Sequence, residues 1–429
     1  MKQDSVYWHL QMHLPEGKGG IVINPIDILN DGLIATGEWD DLQCANFKNV
    51  KNGSIVLVRQ GQEAIALCQI IGNIFTDINL TKKYINTNFR RIRILDWANN
   101  YEQPRPKLFS QGTFKSCRYG TEQYEYIDSW YNYINKMEKI KQYTQILSLK
   151  KNLILQGAPG TGKTYNTAAL ALSICGEPVP EKHEDVMKRY DELQKEGRIG
   201  FVTFHQSMDY EDFVEGIKPK TENGTITYEV EDGIFKEISD RAQENDDRNH
   251  VLIIDEINRG NVSKIFGDLI TLLEADKRID GAHPIKVTLP YSKEEFGVPS
   301  NLYIIGTMNT TDRSVGNIDY AVRRRFAFVT LKADRQILVG KYGEDSKQVQ
   351  LFDMVSDFLN DDKKHVDMDF EDLMVGHSYF MADDSEELKL KLEYEIIPLI
   401  EEYQKDGIIN VKKEELEKEF ENWKGIIEA

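Results

Sequence analysis

Cysteine is scarce and scattered in this chain of 429 residues. Cys44, Cys68, Cys117 and Cys175 form no CxxC pair and have no histidine at zinc-ligand spacing. That excludes a disulfide framework and a zinc ribbon, and it suits a reducing compartment. No early apolar run follows a basic start, and no apolar stretch approaches the length needed to span a bilayer. A cytoplasmic protein with no membrane partner is therefore expected. Internal repeats and low-complexity tracts are also lacking, which argues against solenoids and disordered linkers.

What is present is an ordinary globular composition, 40% hydrophobic and 29% charged, long enough for two or three domains. The net charge of −18 argues against wholesale coating by nucleic acid, but it is unevenly placed. Residues 1–150 carry 18 Lys and Arg against 15 Asp and Glu, which leaves −21 for the remainder. A slightly basic front on an acidic body fits a chain whose front alone touches a polyanion; solubility alone explains the acidity equally well.

Residues 1 to about 100 read as short strands, among them Val6–Trp8, Ser54–Arg59 and Ala64–Ile71, punctuated by Gly53, Gly61 and Gly72. A small, mostly β, barrel-like domain is expected there. Pro104 and Pro106 mark a joint, and Tyr124–Lys150 reads as a helix leading into the next domain. From 151 to about 330 apolar strands alternate with helices, the pattern of an α/β domain with a parallel sheet. The rest is helical, with a capping box at Asp384–Glu387 and a kink expected at Pro398. The boundaries drawn are 1–110 for a front domain, 111–150 for a linker helix, 151–330 for the α/β core and 331–429 for a helical lid.

The densest chemistry lies in Gly157-Ala158-Pro159-Gly160-Thr161-Gly162-Lys163-Thr164, a full GxxxxGK[ST] match. An apolar strand (Asn152–Leu155) precedes it, and a helix running from Tyr165 to Cys175 follows. Glycines let backbone N–H groups converge on phosphate oxygens, and the helix N-terminus adds partial positive charge. Nucleotide contacts are expected from Gly157, Pro159, Gly160, Thr161, Gly162, Lys163, Thr164 and Tyr165. Lys163 would reach the β- and γ-phosphates, and the Thr164 hydroxyl would coordinate Mg²⁺.

Val251–Ile254 is a continuous apolar strand tipped by Asp255 and Glu256. Beside a phosphate loop, Asp255 would hold Mg²⁺, directly or through water, and Glu256 would polarise the attacking water. A third strand, Leu302–Met308, ends in Asn309, placed to bond the γ-phosphate or that water. Arg323-Arg324-Arg325 offers three guanidinium groups, one of which could stabilise transition-state charge on a neighbouring subunit's nucleotide.

In this order these motifs resemble an AAA+ NTPase. The finer ones resemble its McrB-type branch, the GTPases of modification-dependent restriction. They are Phe204–Ser207 with Tyr210–Gly216, Asp255–Asn261, Ile265–Leu269, Met308–Ser314 and Gly376–Phe380. Asp268 stands where Glu is common and Thr311 where Ala is common. The resemblance covers residues 150–385. It implies that Asn309, Asp312 and Arg313 support hydrolysis, that Arg324 or Arg325 sits at a subunit interface, and that His377 and Ser378 lie in the lid near the nucleotide. It further implies GTP rather than ATP, self-association into a ring expected to be a hexamer, and an McrC-like nuclease subunit as partner. No NKxD guanine motif is present and no PD-(D/E)xK-like constellation can be placed, so GTP rests on the resemblance and cutting falls to the partner.

The front domain resembles the EVE type of the PUA-like group through Tyr7–His9, Thr36–Asp40 and Lys51–Gly61. Such domains are small β barrels that flip a modified base into an aromatic-walled pocket, which implies recognition of modified double-stranded DNA. Trp8, Trp39 and Trp97 are the candidate walls, with Thr36, Asp40 and Asn46 as edge readers. Lys82, Lys83, Arg90 and Arg91 would hold phosphates. Two rival readings stand beside this one, a MoxR-like ATPase that remodels proteins and an NTPase that binds modified RNA.

Overall fold

The structure, a computed structural model, describes residues 7–12, 24–37, 42–104, 106, 109, 113–222, 225–311, 318–360 and 370–428. The chain divides into two compact units, Met1–Glu138 and Lys139–Ala429.

The first unit is built on β1 (Tyr7–Gln11), β2 (Leu33–Thr36), β3 (Ile55–Gln60), β4 (Glu63–Ile70), β5 (Asn88–Trp97) and β6 (Phe114–Ser116). They pair in the order β2-β5-β4-β3-β1-β6, and only β1 and β3 run parallel. The β3–β4 hairpin closes on Gly61 and Gln62, with Gly61 at φ +60°. Alternation puts Val56 and Val58 into one core, with Leu10, Ile70 and Phe89. It puts Ile55 and Leu57 into a second, with Trp130 and Ile134 of the helix Glu122–Lys150. The sheet is thus packed on both faces. Among the described residues no ladder joins β2 to β6, so barrel closure is not seen. Strand β5, which sequence reasoning treated only as a basic run, alternates exposed Arg91 and Arg93 with buried Ile92.

The second unit contains β7 (Asn152–Gly157), β8 (Ile199–Thr203), the hairpin β9 (Glu215–Glu222) and β10 (Thr225–Asp232), then β11 (His250–Asp255). The short pair β12 (Val287–Thr288) and β13 (Glu295–Phe296) follows, then β14 (Leu302–Asn309) and β15 (Ala327–Thr330). Five of them form an all-parallel sheet in the order β15-β7-β14-β11-β8. Parallel neighbours require crossovers, so the helices Lys163–Ile174 and Ile234–Glu244 lie between strands in sequence. The three central strands, β7, β14 and β11, are rich in Ile, Leu and Val because both faces are covered, whereas the edge strands β15 and β8 are only partly buried.

Beyond β15 a helical lid has its own core, from Leu338 through Phe352 and Phe380 to Trp423. Asp384 Oδ1 accepts from the Glu387 N–H at 2.8 Å, and Glu387 Oε2 accepts from the Asp383 N–H at 2.7 Å, a variant of the expected capping box in which the return bond reaches the residue before the cap. The helix then widens into a π turn at Leu392–Ile396 ahead of Ile397–Lys405. Pro398 lacks an N–H and its ring crowds the preceding turn, so the helix relaxes there without breaking.

Candidate nucleotide site

Register decides which side chains meet. Strand β14 lies between β7 and β11, and Asn309 pairs with Gly157 while Gly306 pairs with Ile254. The carboxyl ends of the three strands therefore bring together the phosphate loop, Thr307, Asn309, Asp255 and Glu256. A crevice outside the carboxyl ends of parallel strands is where open α/β sheets bind ligands.

The loop is a backbone cradle. Gly162 caps the helix Lys163–Ile174 at φ +83°, and Gly160 lies at φ +77°. A Cβ on Gly160 would stand 2.6 Å from Tyr379 Cδ2 and 2.7 Å from Ser378 Oγ, so only glycine fits. Thr161 is buried and donates to Ala158 O at 2.9 Å, which stiffens the turn. Lys163 Nζ donates to Gly157 O at 3.0 Å and Ala158 O at 2.8 Å. Burial pushes its ammonium down to about 8, against the pull of Glu256 and Asp255. Pro159 is half-buried, Thr164 exposed, and the Tyr165 ring lies 4.5 Å from that of His183. Glycines at positive φ, one lysine and a helix N-terminus suit a polyphosphate, and the Thr164 hydroxyl with the Asp255 carboxylate suits Mg²⁺.

The acids are held from β14. Thr307 Oγ1 donates to Asp255 Oδ1 at 2.5 Å and accepts from the Glu256 N–H at 3.1 Å. Glu256 has φ +52°, a left-handed conformation uncommon outside glycine. Asn309 Nδ2 donates to Glu256 Oε1 at 2.6 Å, and Arg259 Nε lies 3.5 Å from Oε2. Asn309 was expected to bond the phosphate or water; the contact its amide makes here is with the acid, which it orients. Sequence reasoning missed Thr307 and Arg259. Thr307 sits two residues before Asn309 in a strand, so the pleat puts both on one face, and that signal was readable.

The lid docks on the loop. Gly376 N–H donates to Pro159 O at 3.0 Å and Ser378 N–H to Gly160 O at 3.2 Å. His377 is buried, its Nδ1 accepts from the Asp334 N–H at 3.3 Å, and a Cβ on Gly162 would lie 4.0 Å from Nε2. Burial holds the imidazole below its usual pKa. His377 and Ser378 thus meet the phosphate loop, with Tyr379 as an unforeseen third.

The arginines separate. Arg325 is 4% exposed, donates to Ala321 O at 2.7 Å and lies 3.0 Å from Glu274 Oε1. It braces its own domain, so of the two arginines offered for a subunit interface it is the less accessible. Arg324 is 65% exposed and touches the same Glu274 oxygen at 3.0 Å. Asp312 and Arg313 lie outside the described residues.

In the first unit Trp8 is half-buried and stacks on Phe114 at 4.9 Å, with Nε1 buried and without a hydrogen-bond partner among the described residues. Thr36 is buried, and its hydroxyl has no hydrogen-bond partner among the described residues. Trp97 and Asn46 are half-buried. Trp39 and Asp40 lie outside the described residues. Arg90 is 3% exposed and donates to Lys48 O at 2.8 Å and Gly72 O at 3.3 Å, so it is an internal brace and leaves the phosphate-holding set. Lys82 and Arg91 are exposed, and Lys83 pairs with Asp31 at 2.6 Å.

Strand order, cradle and acid-tipped neighbour define a P-loop nucleoside-triphosphatase domain of the AAA+ class. Residues 152–326 match the AAA domain of the dynein-related subfamily, and residues 358–412 match the McrB alpha-helical lid domain. The chain is 37% identical over 273 residues to the Type IV methyl-directed restriction enzyme EcoKMcrB subunit of Escherichia coli, 60% of this chain and 54% of that one. It is 29% identical over 214 residues to the Type II restriction enzyme BsuMI component YdiS of Bacillus subtilis, 47% of this chain and 62% of that one. The chain thus spans about half the length of the first relative and under two thirds of the second. It carries an McrB-type AAA domain and an McrB-type lid. No helix among the described residues is long and apolar enough to cross a membrane.

Proposed function

We propose that this chain is the GTP-hydrolysing motor subunit of a modification-dependent restriction system, a ring-forming AAA+ protein that drives a separate nuclease-bearing partner. The observation that carries the hydrolytic reading is the meeting of Asp255, Glu256 and Asn309 at the rim of the phosphate loop. The restriction setting is supported by the relatedness to EcoKMcrB and YdiS, and GTP over ATP by the McrB-type motifs.

The chemistry assigned to this chain follows from its geometry. The loop's backbone N–H groups and Lys163 would bind the phosphates, and Thr164 and Asp255 would hold Mg²⁺, which supplies charge neutralisation at the transferring phosphoryl group. Glu256, oriented by Asn309, accepts the proton of the attacking water. Arg324, the exposed member of its pair, reaches a neighbouring subunit's nucleotide, so the ring completes each site. His377 and Ser378 couple the lid to the loop, and turnover would move the lid.

The first unit is assigned the role of target reader for modified duplex DNA. Trp8 would wall the base and Thr36 would read its edge; their unpartnered buried polar atoms support this. Hydrolysis of GTP and ATP, with and without Mg²⁺ and a modified duplex, tests the whole proposal. GTP turnover that requires Mg²⁺ and exceeds ATP turnover is expected. Preference for ATP with no DNA binding would favour a protein-remodelling motor, and preference for modified RNA an RNA-binding one.

A further inference from the structure

We propose that Thr307 is a positioning residue that sets both carboxylates of the nucleotide site through a single oxygen atom. It acts on the site through Asp255 and Glu256. This rests on the assignment of Asp255 as the metal carboxylate.

A threonine hydroxyl has one proton to donate and two lone pairs. Here the roles are forced. The Glu256 backbone N–H can only donate, so it takes a lone pair of the hydroxyl at 3.1 Å and the hydroxyl proton goes to Asp255 Oδ1 at 2.5 Å. Thr307 is 3% exposed, so water does not replace either bond. The first bond takes one lone pair of Oδ1 and fixes the carboxylate's plane, so that Oδ2, with no hydrogen bond among the described residues, would face the cation. The second ties down the backbone of Glu256 where it turns left-handed at φ +52°, a conformation that surrounding structure must hold in place. Two residues along the same strand, Asn309 fixes the Glu256 side chain. Strand β14 thereby presents one hydroxyl and one amide on one face, the first setting the acid's backbone and the metal carboxylate, the second setting the acid's tip.

A merely structural threonine would affect folding alone. A positioning one would affect the metal, because groups that orient metal ligands typically contribute about 10- to 100-fold in metal affinity. The two are separated by titrating full-length protein with a fluorescent GTP analogue, first in EDTA and then across a Mg²⁺ series, alongside thermal melts. Thr307→Val should leave the affinity in EDTA within about twofold of wild type yet raise the half-saturating Mg²⁺ concentration roughly 10- to 100-fold. Thr307→Ser keeps the hydroxyl and should respond to Mg²⁺ like wild type. If Thr307→Val melts out, Thr307→Ala removes the same hydroxyl and carries the same expectation. A wild-type Mg²⁺ response in the folded variant without the hydroxyl, or a Thr307→Ser variant as impaired as it, overturns the proposal. Asp255→Asn tells this failure from that of the underlying assignment. If Asp255→Asn keeps the wild-type Mg²⁺ response, Asp255 is not the metal carboxylate; if it loses the response while Thr307→Val keeps it, Thr307 alone is misassigned.

Discussion

In the Lys139–Ala429 unit the candidate site stands at the carboxyl edge of a parallel sheet; in the Met1–Glu138 unit the candidate residues are spread over a sheet packed on both faces. At the edge, side chains leave the core as their strands end: Ile254 is buried, while Asp255 and Glu256 one and two residues later are half-buried. In the first unit Trp8 packs on Phe114 in the same core that would support a bound base. Function and stability are separable at the strand ends and entangled in the front sheet. Substitutions should reflect that difference.

The largest expected effect is at Arg324. An arginine supplied across an interface is worth on the order of 10³–10⁵ in rate. Arg324→Ala should lower GTP turnover of the assembled protein within that range at an unchanged melting temperature, because the ion pair it loses is exposed and worth little. Arg325→Ala should instead lower the melting temperature, since it removes a buried brace. Wild-type phosphate release by Arg324→Ala would end its assignment.

A smaller effect is expected in the first unit. Stacking on an aromatic is worth about 1–3 kcal/mol per base, so Trp8→Ala should weaken binding to a duplex with one modified base roughly 5- to 150-fold. Here the melt is indispensable. Loss of affinity that merely tracks loss of folding would make Trp8 a core residue only. Charge reversal at the exposed Arg91 should weaken modified and plain duplexes alike, because phosphate contacts carry no sequence information.

The smallest effect concerns His9, fully buried with Arg59 Nε donating to its Nδ1 at 3.3 Å. Burial, with Arg59 and Lys115 nearby, lowers its pKa to about 4 from 6.5. Below pH 6.5 the unfolded chain takes up a proton that the folded unit refuses, so stability falls as the pH drops from 6.5 toward 4, by about 1–2 kcal/mol at pH 5. Denaturant melts at pH 7 and pH 5 should show this loss, and His9→Gln should reduce it. Equal acid sensitivity in both proteins would contradict the placement of His9.

The same contrast explains what could be read before the fold was known. The phosphate loop, Asp255, Glu256 and Asn309 are legible because their chemistry is local: a run of eight residues, or the last residues of an apolar strand. The π turn before Pro398 follows from a single residue's missing N–H. Roles that depend on what a side chain meets across the fold are not legible in that way. Arg90 and Arg91 are adjacent in sequence, yet the pleat sends one inward to backbone carbonyls and the other to solvent. Arg324 and Arg325 part in the same manner on a helix end. The short helices Pro25–Asn30 and Ile78–Tyr84 carry too little periodicity to announce themselves.

The central claim, that strand-end chemistry at the phosphate loop hydrolyses GTP through Glu256, is tested most directly by Glu256→Gln. The substitution keeps shape and the Asn309 contact but removes the base. Binding of a GTP analogue should stay within a few-fold of wild type while phosphate release falls roughly 10²- to 10⁴-fold, the usual loss for a positioned base. Turnover close to wild type in a variant that binds nucleotide normally would contradict the account.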